Sequence, residues 1–147
     1  MMPPAAQGSA TVQEIASALI TVFEGCRLTA YQDSGGVWTI GHGHTGRVGG
    51  VLITKGLTIS QAQADALLAQ DQAPLFALVK DMPALEAAAL VSFGYNCGVG
   101  NLQKVLAGHA FVTQFTKDSH GNVLPGLVAR RALEDVLIAT AQQMARK

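Results

Sequence analysis

The sequence predicts an α+β fold, in which one long helix joins a small β-rich lobe to a larger helical lobe with a cleft between them. Three observations lead there. Apolar residues recur at helical spacing in four separate stretches, two short apolar runs flank a Gly-rich turn near residue 33, and no internal repeat or low-complexity tract interrupts the chain. With 147 residues, 49% apolar and 14% charged, the chain can bury roughly two-thirds of its unfolded surface, which suits one compact domain. Its formal charge is zero. That offers no long-range attraction for nucleic acid or an anionic membrane.

Residues 1 to 11 carry two prolines, alanines and a Gly-Ser pair without periodicity and read as a disordered leader, so the folded domain is expected over 12–147. No stretch approaches the ~18 apolar residues of a membrane span, and the leader lacks the basic start and apolar run of a signal peptide. Thr11-Val-Gln-Glu14 reads as a capping box, and Val12, Ile15, Ala16, Leu19, Ile20 and Phe23 extend the helical pattern to Gly25, a natural stop. Strands are expected over 28–31 and 37–40, with Asp33-Ser-Gly-Gly36 as the turn between them. Ser60-Gln-Ala-Gln63 caps a second, long helix to about Lys80, which Pro74 should kink or restart because proline removes a backbone bond. A third helix begins near Pro83 and is apolar nearly all round, the mark of a core element. Pro125 opens the last helix, running towards Gln143.

The chemistry gathers near the first helix end. Glu24 lies in the last turn of that helix, where unpaired carbonyls and any apolar wall raise a carboxyl pKa, as a general acid requires. Asp33 stands nine residues on, in a wet turn that should keep it ionised. Two carboxylates from different local structures can face each other across a gap, the arrangement that glycosidic cleavage needs. Spacing alone is weak evidence, since a helix-end charge followed by a turn acid is common.

The segment resembles the signature of the phage-type lysozymes (endolysins, glycoside hydrolase family 24): Glu24, eight residues, Asp33, five residues, Thr39, set in Glu-Gly-x-x-Leu-x-Ala-Tyr and Thr-Ile-Gly-x-Gly-His. Similar segments follow in the family's order at 56–60, 66–71, 89–98 and 124–134. The resemblance implies a lysozyme-like fold and hydrolysis of the β-1,4 bond between N-acetylmuramic acid and N-acetylglucosamine of peptidoglycan. Glu24 would protonate the glycosidic oxygen while Asp33 and Thr39 orient a water on the far face of the ring, with inversion. It also implies sugar contacts from Thr45, Tyr95 and Asn96, and an ion pair of His44 with Asp71 tying the lobes together. An arginine of the pair Arg130-Arg131 would approach Glu24, and Arg130 is the choice. No cofactor is implied. A monomeric phage enzyme is expected, made in the host cytoplasm and acting on peptidoglycan in the periplasm, with release dependent on a holin. Some relatives carry an N-terminal signal-anchor segment that this sequence lacks. The readings from a different class are a lysozyme-like protein that binds glycans without cleaving them, and a lysozyme domain of a tail or secretion-system protein.

Other patterns lead elsewhere less well. Gly41-His-Gly43-His-Thr-Gly46 formally matches a dinucleotide-binding glycine pattern, but no helix pattern follows it. His42 and His44 alternate along the expected strand and so would share a face, a geometry that could bind zinc, yet no nearby cysteine or acid completes a ligand set. His42 is left without a role. Cys26 and Cys97 are expected to be reduced, buried small hydrophobes, with a disulfide as the alternative after release to the periplasm.

Overall fold

The computed structural model describes residues 9–147, so residues 1 to 8 of the expected leader lie outside it. Thr11 caps the first helix, α1 (Val12–Glu24): its hydroxyl accepts from the Glu14 amide while the Glu14 carboxylate accepts from the Thr11 amide. Gly25, at φ 69°, ends the helix, with its amide returning to the Thr21 carbonyl.

Three antiparallel strands follow in spatial order β1 (Arg27–Gln32), β2 (Trp38–Gly41) and β3 (His44–Thr45), and a short hairpin of β4 (Arg47–Val48) and β5 (Val51–Leu52) completes the small lobe. A bulge interrupts the register between Arg27 and Tyr31. Ser60 then caps α2 (Gln61–Val79) through the second capping box. Of the two outcomes expected at Pro74, a kink or a restart, the restart does not occur. One continuous helix runs through it, because packing of the helix's buried face, from Ala64 to Val79, can outweigh one lost backbone bond.

α2 belongs to both lobes. Ala64 and Leu67 pack with Ile40, Ile53 and Ile59 under the sheet, whereas Leu68, Leu75 and Val79 join the helical core with Ala16, Ile20 and Phe93. The central element of that core is α3 (Ala84–Cys97), in which every residue from Ala87 to Gly94 is buried. A Cβ at Gly94 would fall 2.8 Å from a Leu75 methyl and 2.9 Å from one of Leu102, so glycine is what lets α2, α3 and α4 (Val99–Leu106) meet this closely. After a 3-10 turn at Val112–Gln114, α5 (Pro125–Ala145) returns across α3 with Pro125 in its first turn. Among the described residues, no helix is long and apolar enough to cross a membrane.

Candidate active site

Glu24 ends α1 with its side chain about one-quarter exposed. Arg130, almost wholly buried on α5, donates from Nη1 to Glu24 Oε1 at 2.6 Å, joining residues 106 positions apart in the chain. The same guanidinium donates from Nη2 to the Ser92 carbonyl at 3.0 Å and lies over the Phe23 ring. Between them, α3 and α1 fix its plane. The other carboxylate oxygen, Oε2, faces the backbone at Gly43, where a Cβ would lie only 3.2 Å away. Gly43 has φ +89°, a conformation that favours glycine, and a Cβ there would also crowd the carboxylate. A pocket of about 490 Å³ opens here, lined by Phe23, Glu24, Asn96, Leu127 and Arg130 among others.

Asp33 is held by its own turn. Oδ1 accepts from the amides of Gly35 at 2.8 Å and Val37 at 2.9 Å, while no protein donor among the described residues reaches Oδ2. Thr39 is buried, and its hydroxyl donates to the Val37 carbonyl at 2.9 Å, which leaves its lone pairs free to accept. Thr39 also pairs across the sheet with Thr45.

Tyr31, which sequence reasoning passed over, connects the two carboxylates electrically. Burial pushes its phenol above the usual value, and the negative charge of Glu24 and, more weakly, of Asp33 adds to the rise against the opposing charge of Arg27. A signal for it was there: Tyr31 sits two residues before Asp33, near the end of the strand that leads into its turn.

His44 Nδ1 lies 2.6 Å from Asp71 Oδ2, and Nε2 lies 2.8 Å from the Arg47 carbonyl. Thr45, Tyr95 and Asp71 line a second pocket, of about 250 Å³, which also includes Gly43. The Tyr95 hydroxyl is committed to the His42 carbonyl at 2.6 Å, while Asn96 faces the Glu24 pocket.

Two expectations need correction. His42 and His44 do not share the face of one strand: β2 ends at Gly41, a turn intervenes, and β3 starts at His44. His42 also has an acidic neighbour, since folding brings Asp65 of α2 to it, a residue 23 positions away that local sequence could not suggest. Both arginines of the pair are buried, with Arg130 on Glu24 as expected. Arg131 is as buried as Arg130, with Nε 2.6 Å from Glu134 Oε1 and Nη1 2.6 Å from Cys97 Sγ. Glu134 is fully buried and lies 3.7 Å from Arg130 Nε as well. Its spacing of three and four residues from the two arginines was a readable helical signal. Cys26 and Cys97 are both free thiols, each half-buried.

The phage lysozyme family matches residues 21–134. Among curated relatives, the endolysin of Lactococcus phage c2 is 39% identical over 129 residues, covering 79% of this chain and 54% of that protein. The chain thus spans about half the length of that relative. The SAR-endolysin of Enterobacteria phage PA-2 is 33% identical over 150 residues, 88% of each chain. Among solved structures, the endolysin from Escherichia coli O157:H7 phage FAHEc1 superposes with a TM-score of 0.73 at 28% identity, covering 90% of this chain and 95% of that one.

Proposed function

Because the chain belongs to the phage lysozyme family, we propose that it is an endolysin, a glycoside hydrolase that cuts the β-1,4 bond between N-acetylmuramic acid and N-acetylglucosamine in peptidoglycan and so lyses a bacterial host. The observation that carries this reading is the asymmetry of Glu24. One oxygen is taken by buried Arg130 and the other lies towards the Gly43 backbone, while Glu24 itself lines a pocket of about 490 Å³. A carboxyl so held has one oxygen, Oε2, from which to deliver a proton.

In this mechanism Glu24 Oε2 protonates the leaving glycosidic oxygen. A water sits between Asp33 and Thr39. It donates one hydrogen to Thr39 Oγ1, whose own hydrogen is directed at Val37, and gives up the other to Asp33 Oδ2 as it attacks. Attack from the face opposite the leaving group inverts the anomeric carbon. Thr45, Tyr95 and Asn96 contact the glycan strand. Tyr95 does so through its ring, since its hydroxyl is engaged elsewhere. Residues 12–147 act as one domain and as a monomer. The enzyme is made in the host cytoplasm and reaches the periplasm with a holin.

Mass spectrometry of digested Gram-negative peptidoglycan tests the reaction directly. Reducing muramic acid ends are expected. Anhydro ends or reducing glucosamine ends would assign a different cleavage, and no released ends from folded protein would reject the enzyme reading.

A further inference from the structure

His42 and His44 flank Gly43, and each ring contacts an aspartate of α2. Nε2 of His42 lies 3.2 Å from Asp65 Oδ1, and Nδ1 of His44 lies 2.6 Å from Asp71 Oδ2. The family resemblance covers only the second pair. His42 is buried, although Asp65 is 61% exposed, so the ring has been placed inside the fold with its polar atoms accounted for. Hydrogen bonding from Gln61, and then from His42, holds the Asp65 carboxyl below its usual range, so it is an acceptor at neutral pH. A carboxylate only accepts. Nε2 therefore carries a proton towards Asp65, and Nδ1 lies 3.4 Å from the Thr21 hydroxyl, which can accept or donate to it.

Three helices grip this one residue. α1 does so through Thr21, three residues before Glu24; α2 does so through Asp65; and α3 does so through the Tyr95 hydroxyl, which donates to the His42 carbonyl at 2.6 Å. The next residue is Gly43, whose backbone backs the Oε2 atom of Glu24. Glycine has no side chain to anchor it, so whatever fixes Gly43 must act through its neighbours.

We infer that His42 is a positioning residue: with Asp65 and Thr21 it forms a second His–Asp clamp, which together with His44–Asp71 holds the Gly43 backbone against the acid oxygen of Glu24. The inference rests on the muramidase reading of Glu24 above. It differs from simple packing in one respect. Packing requires the ring's volume, whereas the clamp requires its hydrogen bonds.

Three variants separate the two, assayed for kcat and KM on soluble peptidoglycan fragments. His42→Leu fills the space without the bonds and should lower kcat about 10- to 100-fold with KM little changed, the scale expected when a reacting group is misplaced by about 1 Å. His42→Gln carries an amide at the position of Nε2, can still donate to Asp65, and should recover most of that loss. Asp65→Ala, at an exposed site, should lower kcat and add nothing further to His42→Leu. Wild-type kcat in folded His42→Leu, or Gln no better than Leu, overturns the clamp. Should His42→Leu fail to fold, unchanged kcat in Asp65→Ala does the same. Hydrogen exchange at the His44 amide, just beyond Gly43, gives a readout without substrate. It should speed up in Asp65→Ala, and an unchanged rate overturns the clamp even if the wild type cleaves nothing, a result that by itself would reject only the muramidase reading.

Discussion

Among the described residues, Glu24 and Asp33 each have one oxygen committed and one without a hydrogen-bond donor, but what commits them differs. Asp33 is held by amides two and four residues further along its own turn, in an exposed loop. Glu24 is held by an arginine 106 positions away, itself set by Ser92 and by a buried Glu134. A turn aspartate needs only its neighbours, so its place survives many changes elsewhere. The helix-end glutamate depends on the packing of α1, α3 and α5 together. The proposed general acid is thus tied to the folding of the whole helical lobe, and the proposed water-holding base to a local hairpin.

The largest expected effect comes from the acid. Glu24→Gln keeps the shape of the side chain and can still accept from Arg130 but cannot donate the proton, so turnover should fall by about 10²- to 10⁴-fold with the fold retained. Equal clearing of peptidoglycan by this variant and wild type would reject the acid assignment. Arg130→Ala tests the long-range half of the comparison. It leaves Glu24 without its cation and buried Glu134 with Arg131 alone, and breaking a buried pair costs about 3 to 5 kcal/mol, read as a lower denaturation midpoint. A midpoint within error of wild type would mean that Glu24 does not depend on α5.

Asp33 should respond in the opposite manner. Asp33→Asn keeps an oxygen to accept from Gly35 and Val37, so the turn and the melting temperature should hold while kcat drops, because an amide cannot take the proton from water. Asp33→Ala loses the turn bonds too and should melt somewhat lower. If Asn destabilises as much as Ala, the carboxylate is acting through its charge on the fold and not as a base.

The same contrast explains what could be read from the sequence. Capping boxes at Thr11 and Ser60, the stop at Gly25 and the Asp33 turn are all local devices, and each is written in residues a few positions apart. The family signature located Glu24, Asp33 and Thr39 as candidates without geometry. What could not be read was distant pairing. Asp65 reaches His42 only because α2 crosses behind the β2–β3 turn, and the burial of both Arg130 and Arg131 depends on α5 lying against α3. The restart allowed for at Pro74 fails for a related reason: a local penalty is visible in the sequence, while the tertiary packing that offsets it is not.

The smallest effect probes the far edge of the long-range support. Burial pushes the Cys97 thiol above its ordinary value, although the Arg131 guanidinium beside it pulls the other way. The sign follows from linkage. A group whose folded pKa is raised contributes stability that is fully present below its unfolded value, about 8.5 for a thiol, and is lost as pH climbs through the folded value. Wild type should therefore lose stability between neutral and strongly alkaline pH more steeply than Cys97→Ala, whose small side chain titrates nothing. The thiol should also resist alkylation at pH 8 in the native state and react readily in urea, since only the thiolate is nucleophilic. Parallel pH curves for the two proteins, or equal alkylation of Cys97 with and without urea, would show that Arg131 prevails over burial there. The cation cluster behind Glu24 would then reach the thiol electrostatically as well as by contact.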